Sequence, residues 1–426
     1  VAAAAALLAA VLALAPASSA AGGSAAPATP ASATRPAADG AVPGPPRPPA
    51  LGVRAAILVA QNTSQRLYGV NPNAELPMAS TTKLMTALLT LQRAPMTETF
   101  PYPGTYFSPE ASQINLAAGE RMSVHDLLVA MLLPSADDAA QDLAYNIGGG
   151  SVARFVAMMN VRAGQLGLTH THYSTPIGFD TPGNYSSAAD LVKLASFLLE
   201  RHPLFAQIVA QANAVLRTGH HPRDVVSLNG LVGKVPWIYG VKTGHTIAAG
   251  YVLVAVARKG GLTLLSAVLG TASDAARDEN TLALLNWGYA NFHLSEPVVG
   301  GSILARPKVA DQPGKHATVV ASRTIPEVVA NSSRVQVHVQ VPHQVSGPLK
   351  RGTVLGRAIV LDGGTQLNSV PLILAHAVPG VSAVTLIGRF VTEPITLLGI
   401  VMLLGGTGAL VVRRRLHRRV RQPTAA

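Results

Sequence analysis

The 426-residue sequence contains no cysteine. Disulfides and thiolate chemistry are therefore excluded, and any covalent catalysis has to use another side chain. A cysteine-free chain is compatible with export. Aromatic residues are also scarce, at 4%. No basic stretch is interleaved with them, so the chain carries no nucleic-acid footprint. Acidic residues number 21 against 33 Lys and Arg, which gives a net charge of +12. Six of those cations are Arg413, Arg414, Arg415, Arg418, Arg419 and Arg421, and removing them leaves +6 for the rest. The high charge is thus partly a property of the tail. No internal repeat of useful length is present.

What the chain has in quantity is apolar sequence. A hydrophobic content of 48% excludes wholesale disorder, and the length allows two folded domains with proper cores. Residues 1–20, VAAAAALLAAVLALAPASSA, form an apolar run ending in small residues, as a secretory signal does. The run opens at Val1 without a basic stretch, which places the true start upstream or at an alternative start codon. Residues 21–50 are rich in Ala, Pro, Gly and Ser, which suits a tether and cannot build a core.

From 51 to 293 the pattern mixes helix and strand. RAAILVA and QRLYGV predict a hairpin, and SVHDLLVAMLL predicts a helix whose Ser123 and Asp126 form a capping-box-like start. Further helices are expected at 138–146 and 151–166, on either side of Gly148-Gly149-Gly150. YVLVAVARKGGLTLLSAVLG reads as two apolar strands around a Lys-Gly-Gly turn, and DENTLALLNWGYANF as a closing amphipathic helix. TGHHPRD reads as a polar loop. Residues 294–385 change character: VQVHVQV and RAIVLDGGTQL alternate between turn residues, as small antiparallel β structure does. Ile395–Val412 then runs for eighteen residues without a charge. At about 1.5 Å per residue it spans about 27 Å, enough for a bilayer core. Residues 413–426 carry the arginine cluster, which the positive-inside rule keeps cytoplasmic.

Three short motifs carry chemistry. In PMASTTKLM, Ser80 precedes Lys83 by nearly one helical turn, so both share a face of the helix that begins there. The pair is a nucleophile with its base, or an ordinary capped helix start. In LLPSADDAAQDLA, Ser135 follows Pro134 at a helix end and is placed to project into a cleft and relay protons. In YGVKTGHTIAAGY, Lys242 and Thr243 offer a cation and a hydroxyl to a substrate carboxylate, and Gly244 leaves room for substrate backbone. A second buried cation also lowers the pKa of Lys83. His170 and His172 in THTHY stand without an acidic partner at a metal-ligand spacing, so no metal site or cofactor is read.

Each motif alone is common. In the order Ser80-x-x-Lys83, Ser135-x-Asp137, Lys242-Thr243-Gly244 they match the motif set of penicillin-recognising acyl-transfer enzymes. The chain resembles the serine-type D-Ala-D-Ala carboxypeptidases, the low-molecular-mass penicillin-binding proteins. The likeness runs through MMNVRAGQLGLTHTHY, GFDTPGNYSSAADL, LNWGYANF and GPLKRGTVLGRAIV, and covers roughly residues 51–382. It implies a mixed α/β penicillin-recognising serine acyl-transferase fold: a central antiparallel sheet flanked by helices, an all-helical region carrying Ser135, a small β-rich domain and a C-terminal transmembrane helix.

The resemblance implies roles as well. Ser80 attacks the carbonyl between the last two D-alanines of a peptidoglycan stem peptide, with Lys83 as general base. The backbone N–H groups of Ser80 and His245 form the oxyanion hole. Ser135 relays the proton to the departing D-alanine. Lys242 and Thr243 hold the terminal carboxylate. Arg277 either joins them or serves in a surface salt bridge. β-Lactams are then trapped as acyl adducts, and the catalytic part stands outside a bacterial cytoplasmic membrane on a single anchor. One departure stands out: the second motif usually ends in asparagine, and here ends in Asp137, which when ionised only accepts hydrogen bonds. A carboxylate beside Lys83 favours its charged form. Two other readings follow, a catalytically idle wall-binding protein and a β-lactamase. The β-lactamase lacks support, since neither the anchor nor the β-rich domain suits it and no dedicated deacylating base is identifiable.

Overall fold

A computed structural model describes residues 47–310, 312–381 and 394–419. The signal and most of the tether expected before residue 47 lie outside the described residues, as do residues 420–426 of the basic tail. Strands β1 (Ala55–Ala60) and β2 (Gln65–Val70) form the expected hairpin. Two short antiparallel pairs come next in the chain, β3 (Thr99–Pro101) with β4 (Arg121–Ser123), and β5 (Asn213–Leu216) with β6 (Arg223–Val226). Three long strands follow: β7 (Ile238–Thr246), β8 (Gly250–Lys259) and β9 (Leu262–Thr271). The main sheet has the antiparallel order β2-β1-β9-β8-β7, which leaves β7 as an edge strand.

β8 and β9 are apolar on both faces because both faces are covered. Alternate residues Val252, Val254 and Val256 belong to one cluster with helices α1 (Lys83–Arg93), α2 (Val124–Leu132) and α5 (Ala188–Arg201). Leu253, Ala255 and Ala257 belong to the opposite cluster with α7 (Asp274–Asn291). Burying a Val or Leu fully is worth about 1.5–3 kcal/mol, so the two-sided cover makes these strands the stable base of the fold. The helical region is α1, α2, α3 (Asp137–Ile147) and α4 (Val152–Leu166), with the short α6 (Pro203–Val209) against β7. Ser123 caps α2 as the sequence leads one to expect, its Oγ accepting the Asp126 amide at 3.1 Å.

Two expectations need correction. The closing helix starts at Asp274, four residues before the DENT stretch, because the Ser273 hydroxyl accepts the Ala276 amide and caps it there. TGHHPRD is only partly loop: Arg223 and Asp224 open strand β6. Its Thr218 and His220 amides are drawn inward by the Asp126 and Glu120 carboxylates, each at 2.8 Å.

After α7 the chain passes directly into a strand at Phe292–Val298, which pairs with Ile325–Ala330. A second five-stranded antiparallel sheet has the order Ile303–Ala305, Val319–Ala321, Thr365–Leu374, Val354–Asp362, Val335–Gln340, with its own apolar core around Val319, Val360 and Leu372. Helix α8 (Pro394–Arg419) contains a 21-residue stretch, Leu397–His417, long and apolar enough to cross a membrane.

Candidate active site

A short 3-10 turn, Ala79–Thr82, delivers Ser80 to the start of α1, where Lys83 opens the helix. Lys83 is fully buried, and its Nζ lies 2.8 Å from Ser80 Oγ. The same amine reaches Asp137 Oδ1 at 2.6 Å and the Ile177 carbonyl at 2.9 Å. Burial pushes the Lys83 amine below its ordinary pKa, while the carboxylates of Asp137 and Asp138 pull it back up.

Ser135 sits just before α3 with φ +64°, and Ala79, beside the nucleophile, has φ +48°. Both non-glycine residues occupy the left-handed region, which costs of order 1–3 kcal/mol each and is held by what surrounds it. In that conformation Ser135 Oγ accepts from Lys242 Nζ at 2.9 Å, a second serine–lysine pair. Lys242 also donates to the Thr243 carbonyl at 3.1 Å. Its pKa is driven well down by burial first and by the neighbouring charge of Lys83, with Asp137 opposing and Arg277 adding to the fall.

Edge strand β7 runs past the nucleophile. Gly244 is so close to it that a Cβ there would lie 3.0 Å from Ser80 N and from Ala79 Cβ. Gly178 closes the other side: its φ is +103°, and an added Cβ would lie 2.0 Å from the Ala79 carbonyl oxygen, so no side chain is accommodated. His245, the next residue on β7, is exposed and stacks on Tyr251 at 4.0 Å between ring centroids. Thr243 is buried beside Lys242.

The structure thus brings together Ser80, Lys83, Ser135, Asp137, Lys242 and Gly244. Arg277 is buried, and its guanidinium pairs with Asp274 and Asp278 on its own helix, at 2.5 and 2.9 Å, while its charge still reaches Lys242. His170 lies 3.4 Å from Glu75, and His172 lies 2.6 Å from the Gly183 carbonyl.

Three contributors carry no signal in the residue types alone. The Ile177 carbonyl is the third acceptor on Lys83, and the adjacent Pro176 carbonyl accepts from Thr86 at 2.6 Å, fixing that loop to α1. The Ser112 carbonyl accepts the Asp137 amide at 2.7 Å. Asp138, one residue on, accepts the Ile114 and Leu116 amides at 3.2 and 3.0 Å, and burial raises its pKa. Their traces in the sequence are the GFDTPGN stretch, whose glycine is required beside Ala79, and Asp138 within LLPSADDAAQDLA.

Comparisons with known proteins agree with this geometry. The family model for D-alanyl-D-alanine carboxypeptidase, peptidase S11, matches residues 44–273, more than half of the chain. The D-alanyl-D-alanine carboxypeptidase DacF of Bacillus subtilis is 28% identical over 75% of this chain and 84% of its own length. DacB2 of Mycobacterium tuberculosis is 33% identical over 55% of this chain and 81% of its own. Among solved structures, penicillin binding protein 5 from Haemophilus influenzae superposes with a TM-score of 0.65 at 26% identity, covering 78% of this chain and 99% of that one. The Streptomyces K15 DD-transpeptidase superposes with a TM-score of 0.55 at 30% identity over 57% of this chain and 99% of its own. The chain belongs to peptidase family S11, the D-alanyl-D-alanine carboxypeptidases.

Proposed function

We propose that this chain removes the terminal D-alanine from peptidoglycan stem peptides through an acyl-enzyme on Ser80. The observation that carries the reading is the pair of buried lysines, each within 2.9 Å of its own serine hydroxyl. A serine is a weak nucleophile until its proton is taken, and a desolvated lysine is able to take it.

In this reading Ser80 Oγ attacks the carbonyl between the last two D-alanines as its proton passes to Lys83. The Ser80 and His245 backbone N–H groups hold the oxyanion. The C–N bond breaks, and the proton taken up by Lys83 is relayed through the Ser135 hydroxyl, hydrogen-bonded to Lys242, to the departing amine. Lys242 and Thr243 hold the terminal carboxylate of the substrate, and Arg277 reinforces the positive field behind Lys242. Water then hydrolyses the Ser80 ester and releases the shortened peptide. A β-lactam opens on Ser80 in the same way and lingers as the acyl adduct. Asp137 anchors Lys83 and tunes its charge. Residues 51–293 carry the chemistry, and the second sheet with its flanking strands serves as a spacer. Helix α8 anchors the chain in the cytoplasmic membrane of a bacterium, with the catalytic part outside.

Transpeptidation is the second reading, supported by the likeness to the Streptomyces K15 DD-transpeptidase. It uses the same acyl-enzyme and differs only in accepting an amine instead of water.

The test is intact mass of the protein after incubation with a penicillin, with Ser80→Ala as control, followed by D-alanine release from a D-alanyl-D-alanine peptide. An adduct on the wild type alone, with D-alanine release, is expected. An absence of adduct between pH 5 and pH 9 would overturn the enzyme reading in favour of an idle wall-binding protein.

A further inference from the structure

In a chain with 4% aromatic residues, an exposed phenylalanine next to a nucleophile calls for an account. Phe107 and Phe179 meet edge to face, with ring centroids 6.1 Å apart and ring planes at 81°. They come from two loops far apart in sequence, and each loop is tied by a backbone carbonyl to a different member of the site. Ser112 O accepts the Asp137 amide at 2.7 Å, and Ile177 O accepts from Lys83 at 2.9 Å. Phe179 directly follows Gly178, which abuts Ala79, yet the residue stays 42% exposed. Asp180 comes next and is latched to the end of β7, accepting from Thr246 Oγ1 at 2.6 Å and from the Ala248 amide at 3.1 Å. The aromatic pair is therefore fixed at the rim of the site.

The direction of β7 tells which part of a substrate meets that rim. β7 is an edge strand running from Lys242 towards Thr246, with Gly244 against Ser80 midway. A peptide with its carboxylate at Lys242 and Thr243 and its scissile carbonyl at Ser80 lies antiparallel to β7, as an added strand does. Its residue before the D-alanine pair then falls towards Thr246, where Asp180 positions Phe179. An aromatic pair in which Phe107 is half-buried against the core and Phe179 lies open to solvent suits an aliphatic side chain at that point.

We propose that Phe107 and Phe179 form a specificity lip that packs against the aliphatic stem of the residue immediately preceding the D-alanyl-D-alanine pair. The proposal rests on the carboxypeptidase reading above. A long unbranched side chain covers the two rings with its methylenes and carries its polar end past them, whereas glycine at that place leaves the rings wet.

The test uses the full chain purified in detergent and two probes, diacetyl-L-lysyl-D-alanyl-D-alanine and acetyl-glycyl-D-alanyl-D-alanine. The readout is the ratio of their kcat/KM values for D-alanine release. The wild type is expected to favour the lysyl probe about tenfold or more, and Phe179→Ala to lower that ratio about tenfold. Phe107→Ala, on the other loop, is expected to lower it in the same direction, and Phe179→Leu, which keeps apolar bulk, to hold it within about threefold of wild type. Penicillin acylation of each variant reports that its Ser80 site is assembled. An unchanged ratio in both alanine variants overturns the lip, including the case where both rates fall together, since that is what a purely structural role produces. A wild type that is acylated by penicillin but releases D-alanine from neither probe overturns the carboxypeptidase reading, and the lip with it.

Discussion

The carboxylate of Asp137 lies 2.6 Å from the amine of Lys83, and both side chains are buried. The same amine stands 2.8 Å from Ser80 Oγ. A neutral amine has two protons for Asp137 and Ile177 and a lone pair for the serine proton, whereas an ammonium donates to all three. Burial favours the neutral form and Asp137 the charged one.

Replacing that carboxylate with an amide removes the influence that holds the proton on Lys83. In Asp137→Asn the amine becomes neutral at lower pH. The acidic limb of the penicillin acylation rate is expected to move towards lower pH, because acylation requires the deprotonated amine. The check is the acylation rate constant measured from pH 5 to pH 9. A limb that does not move would show that another group titrates, and a limb moving upward would contradict the assigned sign.

Removing the lysine has a different signature. Lys83→Met leaves Asp137 buried without its ion-pair partner, which is expected to cost about 3–5 kcal/mol of stability. Acylation is expected to fall by about 10²–10⁴. Adding Asp137→Asn in the same chain relieves the unpaired charge, so stability returns while acylation does not. Urea unfolding of the two single variants and the double variant measures the coupling. Equal stability of Lys83→Met and wild type would mean that the buried pair is not charged.

Gly244 is a steric prediction. An alanine Cβ would come within 3.0 Å of Ser80 N and 3.1 Å of the Met78 carbonyl, so the turn carrying the nucleophile has to shift. Overpacking of this kind costs about 1–3 kcal/mol, and a displacement near 1 Å costs about 10² in rate. Gly244→Ala is therefore expected to fold but to react with penicillin about a hundredfold more slowly. Unaltered acylation would show that β7 can retreat without cost.

Much of this site was legible in the sequence because its parts are local. The Ser80–Lys83 spacing is one helical turn, Ser135 follows a proline at a helix end, and Lys242 lies in a strand whose apolar neighbours betray burial. The long-range part was not legible. Ile177 and Ser112 act through carbonyl oxygens, which every residue has, and the link from Asp180 to Thr246 joins segments 66 positions apart. Arg277 stayed open between two readings because its partners depended on where the helix began. Once Ser273 caps α7, Asp274 and Asp278 fall on either side of Arg277 within one turn. The strand at Phe292–Val298 escaped for a similar reason, since its partner at Ile325–Ala330 lies across an intervening loop.

Behind the site, Asp142 on α3 is fully buried. Its Oδ1 accepts from Asn146 at 2.7 Å, and its Oδ2 has no partner among the described residues. Burial, with the charge of Asp138 added, pushes its carboxyl up to about 7. An unfolded aspartate titrates near 3.9, so between about pH 4 and pH 7 the folded chain binds the extra proton. Stability therefore falls as pH rises through that window, by up to about 4 kcal/mol, and the loss is complete above it. Asp142→Asn mimics the protonated acid at every pH. Its amide N–H lacks an assured acceptor, which costs about 1–3 kcal/mol. The variant is accordingly expected to gain on the wild type as pH rises, with a larger difference in Tm at pH 8 than at pH 5. A pH-independent difference would mean that Asp142 is already ionised in the folded protein at pH 5, with water or a rearranged neighbour on its second oxygen.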